Sequence, residues 1–401
     1  MMSTRFRGPL LVTLALAAIA APALAQTSDD LFDATTLQEL RLTMSPRDLQ
    51  TLRAEFTANT YYPADVQWRG VRVRNIALRS RGSGSRSGTK LGIQLDFNRY
   101  ATGQQFLGMK SLVLDNLLQD PAMVREQVSM AFYNRMGLPA PRESSCRLYI
   151  NDVYQGVYGL VEAVTPELLA RATDDPTAYL YEYHYRGPFY GEYLGDDLQP
   201  YKTLFEPRSH QMEADSVLYG PIRDLFREVN EPDDSVWRER VEALLDLEEF
   251  VKYVAIETYL SEIDGILSSV GMSNFYLYRP TGSTQHRLAP WDKDRTFSDY
   301  GSSVVAGADA NVIFRRALAY PDLKTLYLDT LAACARSAAT QFWMEREIVR
   351  DSQLMAAAAA EDSFKPYSDD DVTSAVGYLR TFARRRPLQV LQEVARLRAG
   401  S

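Results

Sequence analysis

The chain has 401 residues and a formal net charge of −8, an acidic balance that argues against a general nucleic-acid binder. It is long enough for two or three units that each form a hydrophobic core. With only two cysteines, Cys146 and Cys334, and three histidines, the sequence excludes a disulfide framework and argues against a zinc site, while one disulfide stays open.

The first 25 residues have the pattern of a secretory signal peptide. Arg5 and Arg7 precede the mainly apolar run 9–21, and Ala23-Leu24-Ala25 supplies a cleavage sequence. The apolar run is shorter than the roughly 20 residues that a membrane-spanning helix needs. We therefore expect cleavage after Ala25, export to the periplasm or the extracellular space, and no membrane span in the mature protein.

Residues 26–165 are predicted to form a mainly antiparallel β-rich lobe with one inserted helix. Alternating apolar positions predict strands at 66–78, 90–97, 111–114, 146–151 and 156–162. The first of these is interrupted at Arg69-Gly70, which is typical of a hairpin turn or a bulge, and residues 151–155 are typical of a second hairpin. A helix is expected over 121–136, because Asp120-Pro121 suits its start and Gly137 its end.

Residues 166–401 are predicted to form a mainly helical lobe, which makes the whole chain an α+β protein. Amphipathic runs predict helices near 216–230, 235–262, 322–350 and 369–398. Pro387 is expected to break the last of these helices, since proline removes a backbone hydrogen bond. A small β unit is expected from strands at 274–278 and 286–289. The aromatic segment 179–207 is expected to be irregular.

The strongest chemical signal is the loop Trp291-Asp292-Lys293-Asp294, which directly follows a predicted strand. Two carboxylates two residues apart can share one divalent cation or hold two neighbouring cations. Mg²⁺ prefers such oxygen ligands together with substrate phosphates. The alternative is a solvated acidic turn in which Lys293 and Arg295 balance the charges.

Asp264 and Asn274, which both precede this loop in the sequence, complete a candidate catalytic set. Asp264 follows a predicted helix, and Asn274 opens the next predicted strand. An aspartate, then an asparagine, then a further aspartate is the order that a kinase-like active site requires: the first orients the acceptor hydroxyl, and the other two bind the metal. Taken alone, Asp264 is equally consistent with a solvated helix end.

A segment rich in glycine and serine, residues 79–90, is the candidate phosphate-binding region. Arg81 supplies hydrogen-bond donors, Gly82 lets backbone amides approach a phosphate, and Lys90 can reach phosphate oxygens from a strand start. The segment lacks a Walker A motif, and loops of this composition are more often flexible connections. A kinase lysine is commonly held by a helical glutamate, for which Glu126 is the first candidate and Glu162 the second. An acid in the first turn of a helix is the ordinary alternative for Glu126.

A series of short motifs runs in a fixed order along residues 35–300. It consists of Arg81-Gly82, Lys90 with Asp96-Phe97, Gly108-Met109-Lys110, Leu114-Asp115-Asn116, Asp120 with Arg125-Glu126, Gly137-Leu138-Pro139-Ala140-Pro141, Leu148-Tyr149-Ile150-Asn151, Tyr154-Gln155-Gly156-Val157-Tyr158 with Glu162, Asn274-Phe275-Tyr276-Leu277-Tyr278 and Pro290-Trp291-Asp292-Lys293-Asp294. In this order the motifs resemble those of the CotH kinase family. The resemblance implies a divergent, two-lobed protein-kinase-like fold.

The same resemblance implies transfer of phosphate from ATP to serine or threonine of secreted or surface proteins. Asp264 is similar to the family's catalytic aspartate, Asn274 to the asparagine that opens its strand, and the pair Asp292 and Asp294 to its metal-binding loop. Lys90 falls where the family has a lysine. The expected ligands are therefore ATP and Mg²⁺, with Mn²⁺ or Ca²⁺ as alternatives, and the expected acceptor is an extracytoplasmic protein that the sequence does not name.

Two other functions remain open at this stage. A non-catalytic extracytoplasmic binding or envelope-assembly protein would use the same carboxylates for a structural cation such as calcium, and the aromatic segment 179–201 motivates it. A phosphohydrolase is a weaker alternative, because the sequence offers no obvious second histidine or carboxylate cluster to complete a two-metal site.

Overall fold

The computed structural model describes residues 26–400. The predicted signal peptide, residues 1–25, lies outside the described residues, so export and cleavage stay predictions. Among the described helices, none combines the length and the apolar character that crossing a membrane requires. The α+β class is confirmed: two β-sheets are accompanied by twelve α-helices within residues 26–400.

The first sheet is a closed barrel of seven strands. Its members are β1 Gln38–Met44, β2 Tyr62–Trp68, β3 Val71–Ser80, β4 Ile93–Asp96, β5 Ser111–Asp115, β6 Glu143–Ile150 and β7 Val153–Glu162. Their order is β1-β2-β3-β4-β5-β7-β6, and the parallel pairing of β1 with β6 closes the barrel. The barrel interior is filled by apolar side chains that include Leu42, Ile76, Leu95, Leu112 and Leu160. Burial of each such side chain contributes roughly 1.5–3 kcal/mol.

Both predicted hairpins are confirmed. Arg69 and Gly70 join β2 to β3 with φ of 43° and 84°, and Asn151 and Asp152 join β6 to β7 with φ of 50° and 63°. Consecutive positive φ values are those of a two-residue turn that matches the twist of the flanking strands. The strand predicted over 90–97 is shorter, since β4 begins only at Ile93.

The helices of the structure differ from the predicted runs mainly in where they end. They are α1 Ser28–Leu31, α2 Pro46–Ala54, α3 Arg125–Arg135, α4 Pro166–Thr173, α5 Gln199–Leu204, α6 Asp215–Val229, α7 Asp234–Glu242, α8 Leu247–Tyr259, α9 Val312–Ala317, α10 Pro321–Ala339, α11 Trp343–Ala360 and α12 Asp369–Ala399. The run predicted over 235–262 is two helices, because Asp246 caps α8 and accepts the backbone N–H of Glu249 at 3.0 Å. The run over 322–350 is also divided, at Gln341 and Phe342, which both have positive φ.

The predicted break at Pro387 is wrong, because α12 continues through it. The preceding residue, Arg386, is fully buried and donates to the carbonyl oxygens of Tyr259 at 3.0 Å and Thr258 at 2.7 Å. Phe382 and Val390 are buried on the same helix. These contacts outweigh the cost of an internal proline, about 3 kcal/mol.

The second sheet lies among the helices and has four antiparallel strands in the order β11-β10-β8-β9. The strands are β8 Tyr179–Tyr183, β9 Phe205–Pro207, β10 Phe275–Arg279 and β11 Arg287–Pro290. Segment 179–207, expected to be irregular, therefore contains two strands and α5. The aromatic residues of β8 lie on one face: Tyr181 and Tyr183 pack into the main helical core, while Leu180 packs into a separate cluster on the other face.

The two cysteines lie in different cores. Cys146 is buried in the barrel, and Cys334 is buried among the helices. Both are free thiols, so the disulfide that the sequence left open does not form. Burial raises the pKa of both thiols well above the usual range, which makes them poor nucleophiles.

Candidate active site

Two loops meet at one end of the second sheet. Because β10 and β11 are paired with Phe275 opposite Pro290, the residues just outside them, Asn274 and Trp291, also lie side by side. The backbone N–H of Trp291 donates to the carbonyl oxygen of Asn274 at 3.3 Å. The loop that ends at Asn274 carries Asp264, and the loop that begins at Trp291 carries the predicted metal ligands. Strand pairing thus brings the two predicted motifs together.

The predicted catalytic aspartate and the predicted metal-binding asparagine are in direct contact. The amide Nδ2 of Asn274 donates to Oδ2 of Asp264 at 3.0 Å and to its backbone carbonyl at 3.0 Å. Since Nδ2 is used in this way, Oδ1 of Asn274 is the atom left for another ligand. Burial raises the pKa of Asp292 to about 6, and the carboxylate of Asp264 adds to this rise, so Asp264 and Asp292 also interact.

The backbone at the loop starts is left-handed, a conformation that L-residues rarely adopt. Asn274 has a φ of 56° and Asp292 a φ of 52°. Asparagine and aspartate tolerate this region best among residues with a side chain, yet each instance still costs on the order of 1 kcal/mol. Ser261 and Phe297, which belong to the same two loops, also have positive φ. Such clustering of strained residues is typical of functional sites.

The loop after β11 is not a solvated acidic turn. Lys293 is fully buried, and its Nζ lies 2.6 Å from Oε1 of Glu257 and 3.0 Å from the carbonyl oxygen of Asn274. Glu257, which is also buried, accepts the backbone N–H of Ile266 at 2.7 Å with its other oxygen. Sequence reasoning missed Glu257, although an acid inside the apolar run of α8 was a signal for it.

Five carboxylates come together between the barrel and these loops. They are Asp115 at the end of β5, Glu126 on α3, Glu143 at the start of β6, and Asp292 and Asp294 after β11. We call them the carboxylate cluster. The sequence-based expectation that no second group of carboxylates accompanies the Asp292 loop is therefore wrong. Asp115 and Glu143 were missed because their meeting depends on the order β5-β7-β6, in which both strands pair with β7.

Helix α3 is fixed against the Asp292 loop by polar contacts. Arg125 Nη1 donates to the carbonyl oxygen of Thr296 at 3.0 Å, and the hydroxyls of Ser129 and Thr296 lie 2.8 Å apart. The first turn of α3 is held by Asp120, which accepts the backbone N–H groups of Ala122 and Arg125. These contacts hold Glu126 in the cluster, so it is more than an ordinary first-turn acid.

Burial and mutual repulsion raise the pKa values of the cluster. Burial raises the pKa of Asp294 to about 10, and Asp292, Glu126 and Asp115 contribute to the rise. The pKa values of Glu126 and Glu143 are well above the usual range, first because they are buried and then because other carboxylates surround them. Carboxylates held in this way bind either protons or a cation.

Arg81 is the basic side chain next to the carboxylate cluster. Its Nη1 lies 3.7 Å from Oδ2 of Asp115, and its guanidinium lies 5.3 Å from the centre of the Trp291 ring. Burial lowers the pKa of Arg81, but Asp292, Asp115 and neighbouring carboxylates outweigh this effect and hold it above the usual value. Gly82 follows with a φ of 105°, which favours glycine.

One arginine does not neutralise the cluster. Across residues 26–400, no lysine or arginine nitrogen lies within 4.0 Å of the carboxylates of Glu126, Glu143, Asp292 or Asp294. Moreover, Oε1 of Glu143 is buried and has no hydrogen-bond partner. Oxygen ligands with excess negative charge suit Mg²⁺, Mn²⁺ or Ca²⁺, but among the described residues no three ligand atoms of this cluster lie within 4.8 Å of one another.

Lys90 lies in a different environment from the one expected. It is buried, and its Nζ lies 2.7 Å from Oδ2 of Asp362, which belongs to the segment between α11 and α12. The expected pairing with Glu126 or Glu162 is absent from the ion pairs of residues 26–400. Gly156 makes room for the observed pair, because a Cβ there would lie 2.2 Å from Asp362.

Glu162 forms a separate ion-pair group. Arg142 Nη2 lies 2.6 Å from Oε1 of Glu162, and Arg171 Nη2 lies 2.7 Å from Oε2. Both carboxylate oxygens are therefore occupied, and the contacts link β7 to α4 and to the segment before β6. This arrangement is typical of a structural role.

The loop after Arg81 is tethered to the protein. Arg86 Nε donates to the carbonyl oxygen of Gly82 at 2.7 Å and its Nη2 to Oδ1 of Asn59 at 2.5 Å. Asn116 Nδ2 donates to the carbonyl oxygens of Ser85 at 2.8 Å and Lys90 at 2.9 Å. These contacts distinguish the loop from a freely flexible connection.

In the part of the chain that the structure describes, the group whose three ligand atoms all lie within 4.8 Å of one another is Glu182, His184 and Glu206. Arg208 already pairs with Glu182, and its Nη1 lies 2.8 Å from Oε1 of Glu206. His184 Nε2 lies 2.7 Å from Oε2 of Glu206. Because Arg208 supplies the positive charge here, this group does not have the excess negative charge of the carboxylate cluster.

A family model described as CotH kinase protein matches residues 78–390. The chain belongs to the CotH kinase family. The matched range contains every site residue that the sequence predicted and all five members of the carboxylate cluster. It also extends beyond the motifs noted in the sequence, to include Asp362 and most of α12.

Two relatives illustrate how far the similarity of this CotH family member extends. It is 22% identical over 342 residues to the inner spore coat protein H of Bacillus subtilis, a match covering 83% of this chain and 90% of that protein. It is also similar to the crystal structure of the Helicobacter pylori proinflammatory kinase CtkA, with 12% identity. That match covers 77% of this chain and 95% of the other, at a TM-score of 0.33, which is too low to compare the folds.

Proposed function

We propose that this member of the CotH kinase family is an exported phosphotransferase, which moves the γ-phosphoryl group of Mg²⁺-bound ATP to a serine or threonine of an extracytoplasmic protein. The observation that carries the proposal is the contact between Asp264 and Asn274 next to Asp292, at the ends of two paired strands. A proton acceptor beside an amide and a carboxylate that suit a cation is the arrangement that phosphoryl transfer requires.

In this proposal Asp264 is the proton acceptor. As the acceptor hydroxyl oxygen bonds to the γ-phosphorus, its proton passes to Asp264, and ADP leaves when the bond between the γ-phosphorus and the bridging oxygen breaks. Asn274 orients Asp264 through Nδ2 and offers Oδ1 to the cation. We assign Asp292 as the principal cation ligand. The cation, when bound, neutralises charge on the phosphates.

Arg81 and Gly82 are proposed to contact the phosphates. The guanidinium of Arg81 lies beside the carboxylate cluster, and its planar group suits two phosphate oxygens at once. Lys90 reaches a phosphate only if its ion pair with Asp362 opens. We therefore propose Arg81 as the main basic contact with the nucleotide.

For Glu126 and Glu162 we propose roles other than holding Lys90. Glu126 is proposed to serve the cation rather than a lysine, because it belongs to the carboxylate cluster. Glu162 is proposed to support the ATP site only indirectly, because its two carboxylate oxygens are already paired with Arg142 and Arg171.

We further propose that residues 26–165 form the N-terminal lobe and residues 166–401 the C-terminal lobe of a kinase-like protein. The barrel strands all lie before residue 163, and the second sheet and most helices lie after it, which supports this division. The proposal of export rests on the signal peptide predicted from the sequence of residues 1–25.

The alternative of a non-catalytic binding protein has lost part of its support. It relied on exposed tyrosines in segment 179–201, but Tyr181, Tyr183 and Tyr201 are buried in the helical core. Tyr185 is the more exposed case, with 43% of its surface accessible. The proposed phosphotransferase accounts for the Asp264 and Asn274 contact, which a binding protein does not need.

Isothermal titration of residues 26–401 with ATP, with and without Mg²⁺, tests the proposal. We expect Mg²⁺-dependent binding that falls at least about tenfold, or roughly 1.4 kcal/mol, in Asp292→Asn. The control is Asp309→Asn, the same change at an exposed aspartate. Equal binding in Asp292→Asn and the wild type would contradict the proposal, and so would the absence of ATP binding in the wild type.

A further inference from the structure

Two neighbouring segments without charged residues lie beside Asp264. The first is residues 265–273, the loop between Asp264 and Asn274, and the second is residues 301–308, which follow the Asp292 loop. Charged residues make up 24% of the chain, so a pair of uncharged segments at the edge of the candidate active site is a distinct feature. We call them the uncharged segments.

The uncharged segments start together and touch again further along. The backbone N–H of Ser298, shortly before the second segment, donates to the carbonyl oxygen of Ser261, shortly before the first, at 3.3 Å. A Cβ added at Gly307 would lie 2.5 Å from the carbonyl oxygen of Leu267, so the two backbones are in direct contact there. The segments therefore form one continuous surface that begins beside Asp264.

The first uncharged segment is held in place by tyrosines of the neighbouring aromatic segment. The hydroxyl of Tyr190 donates to the carbonyl oxygen of Ser269 at 2.8 Å, and the hydroxyl of Tyr185 donates to that of Val270 at 3.2 Å. A Cβ at Gly271, which has a φ of 108°, would lie 2.6 Å from a backbone nitrogen of the same aromatic segment. A surface that is fixed before it binds loses little conformational entropy on binding.

Apolar side chains are exposed around Asp264. Between 41% and 50% of the surface is accessible in each of Ile263, Val270, Val305 and Tyr185. Ile263 directly precedes Asp264, whereas Val270 and Val305 belong to the two uncharged segments. Single exposed apolar residues are ordinary, but a group of them on a fixed surface is typical of a binding site.

The proposed phosphotransfer determines what must approach this surface. The acceptor hydroxyl has to reach Asp264, so the residues that flank it in the acceptor chain must lie on the surface that begins there. An apolar flanking side chain is stabilised there, because Val270 or Val305 shields it from water. A charged side chain would lose hydration without meeting an opposite charge in either uncharged segment.

We propose that the acceptor is a polypeptide in which an aliphatic or aromatic residue lies close in sequence to the serine or threonine that receives the phosphate. Val270 and Val305 bind this residue and so determine which acceptor is selected. The inference rests on the proposed function and adds to it the class of acceptor sequence.

The test uses residues 26–401 with Mg²⁺, ATP labelled at the γ-phosphate and a library of short peptides. Each peptide has one central serine or threonine, and the positions next to it carry alanine, leucine, phenylalanine, lysine or glutamate in turn. We expect leucine or phenylalanine at one of these positions to raise kcat/KM at least about fivefold above alanine, mainly through KM. Lysine and glutamate should give no such increase.

Two variants connect this preference to the surface. Val270→Ser combined with Val305→Ser should reduce the preference for leucine or phenylalanine over alanine to less than about twofold. Val270→Lys should create a preference for glutamate, because it places a positive charge on an uncharged segment. The control Val217→Ser, at a similarly exposed valine of α6, should keep the preference of the wild type. Equal Tm values show that the variants fold.

The inference is overturned if the wild type transfers phosphate without an apolar preference, or if the double variant keeps that preference. Sedimentation that shows a wild-type dimer, dissociated by Val270→Lys, would assign the surface to a second copy of the chain and also overturn it. Transfer to any of the peptides would support the phosphotransferase whatever the preference, whereas transfer to none of them would reject both proposals.

Discussion

The Nζ of Lys293 lies 2.6 Å from Oε1 of Glu257, while Oε2 of Glu257 accepts the backbone N–H of Ile266 at 2.7 Å. One buried carboxylate on α8 thus holds the loop that carries Asp264 and the loop that carries Asp292. Glu257 is too deeply buried to contact a substrate, with 3% of its surface accessible. We therefore regard it as a positioning residue for the candidate active site.

The variant Glu257→Gln should lose about 3 kcal/mol in the free energy of unfolding, because Lys293 remains buried without its counter-charge. Urea unfolding measures this loss. The double variant Glu257→Leu with Lys293→Met removes both charges and should regain most of the stability. Its rate of phosphate transfer should stay at least about tenfold below wild type, because the two loops are no longer tied together. Recovery of both stability and rate in the double variant would show that the pair does not position the loops.

Asp264→Asn should separate chemistry from binding. Removing the proton acceptor is expected to lower kcat by about 10²–10⁴, while ATP affinity changes by less than about threefold. Single-turnover transfer of labelled phosphate and titration with Mg²⁺ and ATP measure the two effects. Unchanged transfer in Asp264→Asn would exclude this residue as the proton acceptor. Asp309→Asn, at an exposed site, is the matched control.

The predictability of this site from sequence depends on how local its contacts are. Asn274 and Asp292 flank one predicted β unit, so strand periodicity brings them together. Asp264 was added because its order before them is that of a kinase-like site. Lys90 and Asp362 are separated by 272 positions, and their contact also requires the absence of a side chain at Gly156. No local pattern contains that information.

The carboxylate cluster illustrates the same limit in another way. Asp115 and Glu143 each stand at the end of a strand, where an acid is ordinarily exposed. Their proximity follows from the insertion of β7 between β5 and β6 and from the packing of α3 over that face. Both are tertiary features, which explains why sequence reasoning found Asp292 and Asp294 but missed the barrel acids.

The pair of Lys90 and Asp362 should behave as a structural contact. Lys90→Met is expected to lose about 3 kcal/mol of stability, because Asp362 then stays buried without a cation. Asp362→Asn keeps one acceptor oxygen, which serves the backbone N–H of Phe364 but not that of Val157, so the double variant should recover only part of the loss. A double-mutant cycle by urea unfolding measures the coupling.

The same variants decide which basic residue contacts the nucleotide. ATP affinity should change by less than about threefold in folded Lys90→Met, whereas Arg81→Met should weaken it by about tenfold or more. Titration with Mg²⁺ and ATP provides the comparison. If ATP affinity fell about tenfold in Lys90→Met and stayed unchanged in Arg81→Met, Lys90 would be the residue that contacts the phosphates. Its ion pair with Asp362 would then have to open when ATP binds.

His286 should make stability depend on pH. It is fully buried, and its Nδ1 lies 2.9 Å from the carbonyl oxygen of Leu244, which can only accept a hydrogen bond, so Nδ1 carries the hydrogen. Its Nε2 has no partner. Burial lowers the pKa of His286 to about 4, although the hydrogen bond to Leu244 opposes this. An unfolded histidine has a pKa of about 6.5.

Below pH 6.5, therefore, His286 is protonated in the unfolded chain, whereas in the folded chain it stays neutral until the pH approaches 4. Folding stability is lost as the pH falls through this window, by about 2 kcal/mol between pH 7 and pH 5. His286→Gln keeps a donor for Leu244 but does not titrate. Urea unfolding at both pH values should show wild type losing about 2 kcal/mol more than His286→Gln. Equal losses in wild type and His286→Gln would exclude His286 as the source.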